Sequence, residues 1–137
     1  MGEVRVTAKL TNAVDLGLVR RHIMPLGEVR AYEAKALVDM GAVSLVLPSH
    51  VVERLGLSRP FKQVAEYADG RREEVDVTKP VLVEIMGRAT TEEAAVLGDE
   101  VLIGQTILEK MDLYIDCRGQ RLFPNPAHPD QPILKVK

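Results

Sequence analysis

From Ala36 to Pro48 the chain reads Ala-Leu-Val-Asp-Met-Gly-Ala-Val-Ser-Leu-Val-Leu-Pro: two apolar runs joined by a turn that carries a single carboxylate, Asp39. No other stretch restricts the fold as tightly. A charge with apolar neighbours on both sides has to be paired, hydrogen-bonded or protonated, which makes Asp39 a candidate for a tuned pKa and for chemistry. Asp and Gly are also ordinary turn residues, and an isolated Asp-x-Gly reads first as a turn cap. Here the turn has company. Gly41 and Ala42 let the chain reverse with little side chain in the way, leaving Asp39 on a narrow loop. Leu45, Val46 and Leu47 then restart a strand, and Pro48-Ser49 opens a short helix that reaches Leu55 and is closed by Gly56.

The rest of the chain is punctuated like a β protein. Val4, Val6, Ala8 and Leu10 alternate with Glu3, Arg5, Thr7 and Lys9, the period of a strand with one wet face. Residues 13–21 fit either a loop or a short helical turn, and 28–39 reads as one long strand or a hairpin half ending at the carboxylate. Residues 63–77 alternate loosely around Asp69-Gly70, which predicts a long hairpin with a type I′ turn. A last hairpin is expected over 112–123, turning at Arg118-Gly119. Pro124, Pro126, Pro129 and Pro132 then impose an extended tail, in which residues 133–136 could add an edge strand to a partner subunit. These elements predict one mainly β domain over 1–124, a closed or partly open β-barrel with one or two short helices, followed by a Pro-rich tail over 125–137.

Composition removes several function classes. A chain of 137 residues with 46% hydrophobic and 28% charged residues is one domain's worth of ordinary globule. The net charge of −2 gives no basic field for a phosphate backbone, so no nucleic acid partner is expected. No apolar run approaches the roughly 18 residues of a membrane span. A lone Cys117 cannot close an internal disulfide, and no secretory h-region follows Met1, so the default location is cytoplasmic. His22, His50 and His128 are far apart and none has metal-ligand spacing, and no phosphate loop, serine elbow or cysteine-nucleophile context occurs. No metal and no cofactor are expected.

The Asp39 segment resembles the active-site region of retropepsin-like aspartic peptidases, in which two apolar residues precede Asp, Thr or Ser, Gly and Ala, and an apolar strand follows. Val101-Leu-Ile-Gly104 leading into Gln105–Met111 is similar to that family's apolar-apolar-Gly element and its helix. Residues 79–88 and 91–97 fall where the family places the strand pair after its flap. The resemblance spans about residues 31–124. It implies an aspartic endopeptidase with Asp39 catalytic on an active-site loop of Met40, Gly41 and Ala42. It also implies a flap whose tip is Ala68, Asp69, Gly70 and Arg71, with Val43, Leu82, Ile103 and Gly104 as guesses for the substrate pocket. The partner would be a peptide or protein bound as an extended strand under the flap. Because the chain holds one Asp-x-Gly only, the second carboxylate of the dyad must come from another copy, which implies a twofold homodimer with one Asp39 from each chain at its axis.

This chain departs from the family pattern at three places. Met40 replaces the Thr or Ser after the catalytic Asp, and its thioether donates no hydrogen bond. Leaving the buried partners of that hydroxyl unmade costs about 1–3 kcal/mol each, enough to weaken the dimer or the activity. Val43 and Gln105 stand where retroviral members carry an Asp and an Arg, so that ion pair is lost as a unit. The alternative reading is a dimeric barrel without catalysis that binds a peptide or protein in the same cleft. In a third, Asp39 does no more than satisfy amides of its own turn.

Overall fold

A computed structural model describes residues 2–136. The first strand, β1 (Arg5–Asn12), obeys its alternation: Ala8 and Leu10 are fully buried while Arg5, Thr7 and Lys9 are exposed. It pairs antiparallel with β2 (Ala31–Val38) on one side and with β6 (Val81–Ile85) on the other, and β6 continues into β7 (Arg88–Glu92).

Residues 13–21, open between loop and helix on sequence grounds, form α1 (Ala13–Arg20). The deciding contact is local: the Asn12 side chain accepts a hydrogen bond from Asp15 N at 3.0 Å, capping the first turn, while its amide donates to Leu55 O at 2.8 Å. Asp15 is buried and receives the main-chain N, Nε and Nη2 of Arg30, whose guanidinium holds the Asp15 carboxyl below its ordinary range. The strand expected from residue 28 begins at Ala31, because Leu26–Glu28 winds into a single 3-10 turn before it.

After the Asp39 turn come β3 (Leu45–Leu47) and α2 (Ser49–Arg54), closed by Gly56 at φ +61°. The hairpin β4 (Phe61–Glu66) and β5 (Arg72–Val77) forms as expected, but its turn differs. Only Gly70 has positive φ; Tyr67 N donates to Arg71 O and Gly70 N to Tyr67 O, a three-residue loop with Gly in the left-handed position instead of a type I′ turn. The Asp69 carboxylate accounts for the choice by accepting Arg71 N and Nε at 3.0 Å each. Two consecutive positive φ values, the mark of a type I′ turn, occur instead at Met86-Gly87 between β6 and β7.

The chain then places β8 (Ala94–Val96), β9 (Leu102–Ile103), α3 (Gln105–Met111) and a separate hairpin of β10 (Leu113–Asp116) and β11 (Arg121–Pro124). Nine strands make one sheet in the order β4-β5-β8-β3-β9-β2-β1-β6-β7. The end strands β4 and β7 do not pair with each other, so of the two expected forms the barrel takes the partly open one. Strands hold 40% of the chain and helices 18%, which fixes the class as mainly β. Leu10, Leu45, Leu47, Val83, Ile103 and Ile107 lead a single core enclosed by the curled sheet and α3.

Beyond β11 no regular structure forms through residue 136, and residues 133–136 make no strand in the single chain. The start of this tail is nevertheless pinned. The buried Arg88 donates to the carbonyls of Met111, Asp112 and His128, and Asp112 accepts from Asn125 Nδ2, Ile133 N and the His128 ring. No helix among the described residues is long and apolar enough to cross a membrane.

Candidate active site

Three short strands from distant parts of the sequence assemble the Asp39 loop. Between β2 and β3, β9 runs parallel to the first, with Val38 opposite Ile103, and antiparallel to the second, with Leu45 opposite Ile103. At the end of β2, Asp39 N donates to Ile103 O at 3.0 Å. The chain then reverses through Met40–Ser44 directly over the start of α3. Gly104 N, Gln105 N and Thr106 N donate to the carbonyls of Ser44, Ala42 and Val43 at 2.7, 3.0 and 2.8 Å. The loop thus satisfies N–H groups that a helix start leaves without intrahelical partners, and α3 in return fixes the loop.

This close crossing explains Gly104. A Cβ there would lie 2.4 Å from Ser44 O and 2.5 Å from Ala42 O, distances no side chain tolerates. Gln105 adds a brace: its Nε2 donates to Met40 O at 2.6 Å, holding the residue that follows Asp39. In sequence Gln105 registers only as a missing charge.

Asp39 itself is half-buried. Its Oδ1 accepts Gly41 N at 2.8 Å and its carbonyl accepts Ala42 N at 3.1 Å, the geometry of a side chain ordering its own turn. Oδ2 accepts no hydrogen bond from the described residues, which leaves one oxygen free to act on something else. Met40 is 47% exposed beside it.

A groove of about 630 Å³ opens at Asp39. Residues 41–46 form one part of its lining, the β4 arm 63–67 with Val75 and Val77 another, and residues 92–95 with Leu97 and Leu102 the remainder. Of the residues expected to form a pocket, Val43 lines this groove, at 77% exposure, and the other three do not. Ile103 is fully enclosed in the core, Gly104 is the crossing point under α3, and Leu82 lies in β6 between Thr11 and Thr91. The hairpin tip Ala68, Asp69, Gly70 and Arg71 is also outside the lining; the adjoining arm and Tyr67 are inside it. Tyr67 Oη donates to Glu73 Oε2 at 2.9 Å, and that carboxylate pushes the phenol pKa up.

Two groove residues have no sequence signature. Glu92, only 9% exposed, receives Ser44 Oγ at 3.2 Å and Thr90 Oγ1 at 3.4 Å and pairs with Lys110 Nζ at 2.8 Å. Glu93 beside it has no hydrogen-bond or charge partner among the described residues. Their position follows from the pairing of β8 with β3, a tertiary event that no local pattern announces. A second hollow of about 400 Å³ is lined by Met40, Gln105, Leu108, Tyr114 and Ile115 among others. Among the described residues no three His, Cys, Asp or Glu side chains converge in a way that would hold a metal ion.

Two solved structures share this fold. The EIAV protease complexed with the inhibitor HBY-793 superposes with a TM-score of 0.51 at 20% identity, covering 79% of this chain and 86% of that one. The retroviral protease-like domain of Ddi1 from Leishmania major gives 0.55 at 17% identity, covering 98% and 92%. The chain has a retropepsin-like fold. The match to the Ddi1 domain takes in β1 and the tail as well as residues 31–124, so the retropepsin-like likeness extends over nearly the whole chain. No family model matches the sequence, and no curated protein does.

Proposed function

We propose that this chain is an aspartic-type endopeptidase that works as a homodimer, with Asp39 from each copy forming the catalytic dyad. The observation that carries the reading is Asp39 itself. Its carboxylate lines a groove of about 630 Å³, on a loop tied at Ile103, Gly104, Gln105 and Thr106, with one oxygen uncommitted. Rigid support of a half-exposed carboxylate at a groove is what general acid-base chemistry requires.

Two carboxylates about 3 Å apart cannot both ionise, so the pair shares one proton. The charged member takes a proton from water as its oxygen attacks the scissile carbonyl carbon, and the protonated member gives its hydrogen to the carbonyl oxygen. Collapse of the resulting diol breaks the C–N bond: the dyad gives its proton to the leaving amine and takes one from a diol hydroxyl as the new carbonyl forms, which restores the shared hydrogen. The 61–77 hairpin acts as the flap over the extended substrate. Met40, without the hydroxyl that would tie the two loops across the axis, lowers the strength of the dimer or its turnover. Exposed apolar side chains support a seat for the second copy: Met40 and Tyr114 at the second hollow, and Ile133, Leu134 and Val136 on the tail. The domain runs over 1–124, with residues 125–137 as the tail that fastens the pair.

The test is digestion of a peptide library at acidic pH by the wild type and by Asp39→Asn, with and without a hydroxyl-bearing transition-state mimic. Inhibitor-sensitive cuts that disappear in the variant are expected. Cuts that survive Asp39→Asn would remove the dyad from consideration. Peptide binding without any cleavage would favour the non-catalytic reading.

A further inference from the structure

Every ionisable carboxyl or cationic group lining the Asp39 groove is acidic: Asp39, Glu66, Glu92 and Glu93, with no Lys, Arg or His among the lining residues. Their states differ. Glu66 is paired with Arg72 at 3.1 Å, and Glu92 is enclosed and neutralised by Lys110, Ser44 and Thr90. Asp39 is assigned to the reaction. Glu93 alone is an exposed carboxylate with neither a partner in the described chain nor a role in the chemistry.

The surface beside it is apolar. Glu93 leads directly into β8, whose half-buried Ala95 lies opposite Val46, which in turn faces Leu102, and Leu97 completes that stretch of the lining. A wall of methyl and methylene groups ending in one free carboxylate complements a side chain with a long aliphatic stem and a cationic head. A carboxylate head would meet only like charge there, and a short neutral polar group would lose its hydration on the apolar wall without gaining a charge partner.

We infer that Glu93 is a specificity-determining residue, and that the groove selects extended peptides that place a Lys or Arg side chain against it among apolar neighbours. This rests on the groove being the peptide site proposed above. The pair is solvent-exposed, so its effect on affinity is modest, about fivefold at most, and it weakens with salt. Its effect on choice is larger when the charge is reversed, since a like-charge contact replaces an attractive one.

The experiment measures binding separately from cleavage. In the Asp39→Asn background, dissociation constants are determined for apolar decapeptides carrying Arg, Gln or Glu at one position at a time, and repeated with Glu93→Gln and Glu93→Lys added. At one position the Arg peptide is expected to bind about fivefold more tightly than the Gln peptide. That advantage should vanish in Glu93→Gln and pass to the Glu peptide in Glu93→Lys. A merely structural role for Glu93 would not invert the preference. If the Arg preference is absent, or persists unchanged in Glu93→Gln, the inference is overturned. The wild type, incubated with the same peptides, separates the two claims: cleavage with no charge preference overturns Glu93 and leaves the peptidase. Charge-selective binding without cleavage does the reverse, and peptides neither bound nor cut sink both.

Discussion

A methyl group added at position 104 would collide with two main-chain oxygens, Ser44 O and Ala42 O, neither of which can swing away as a side-chain tip can. The same oxygens accept the hydrogen bonds that tie the loop to α3, so relief of the clash must loosen the loop. Gly104→Ala is expected to lower stability by about 1–3 kcal/mol in a denaturant titration, the range for overfilled sites, and to lower activity more than partial unfolding accounts for. At this scale the sequence is informative where chemistry needs a particular residue type. Asp39, Gly41 and Gly104 stand out because a carboxylate between apolar runs and glycines at tight crossings are unusual. Gln105 and Glu93 do not stand out, since a glutamine brace or an unpaired glutamate takes its meaning only from what the fold sets beside it. Leu82 and Ile103 both stand apart from the groove, Ile103 in the core and Leu82 half-buried on the other face of β6, since an apolar strand residue reads alike whichever surface it faces.

Among the elements, the turn expected of the 63–77 hairpin is found in another one. Asp69-Gly70 has the type I′ sequence but closes as a three-residue loop, while Met86-Gly87 adopts paired left-handed conformations with a residue poorly suited to them. Met86 is 50% exposed and loses little packing on replacement. Met86→Asn should therefore raise stability by about 1 kcal/mol, read as an upward shift of the denaturation midpoint with unchanged slope. The pinned start of the tail carries a pH dependence. The Asn125 amide, followed by the His128 ring and Ile133 N, holds the Asp112 carboxyl below its ordinary 3.8. A carboxyl lowered in the folded state contributes fully above 3.8 and loses that contribution as pH falls from there through its folded value. Amide protection in residues 125–133, taken relative to the intrinsic exchange rate at each pH, should consequently be flat above about pH 4 and fall below it, and Asp112→Asn should flatten the response. Strands with clean alternation, such as β1, are legible from the residue pattern because burial enforces the period. Helix α1 is not, because beside its local Asn12 cap its buried Asp15 depends on Arg30, which lies outside the segment.

For the molecule as a whole, the mainly β class and a barrel, closed or partly open, follow from many short strands divided by turns, a pattern the order of residues already displays; only the unpaired end strands β4 and β7 decide for the partly open form. What the single chain does not contain is a reason for Leu134 and Val136 to stand 79% and 87% exposed, or for Met40 and Tyr114 to line an open hollow. The second copy proposed above would supply one. Leu134→Asp should leave the unfolding of the monomer unchanged and weaken self-association at least tenfold in sedimentation equilibrium, since burying one leucine is worth about 1.5–3 kcal/mol. Equal association by variant and wild type would move the contact elsewhere. The path by which the site is assembled has its own outcome. Asp39 is made early, but Ile103, Gly104 and Gln105, which hold its turn in shape, are translated more than sixty residues later. A nascent polypeptide emerging from the ribosome therefore carries an unsupported carboxylate until more than sixty further residues have been added, and the turn can take its final shape only after the helix that underpins it has followed it out.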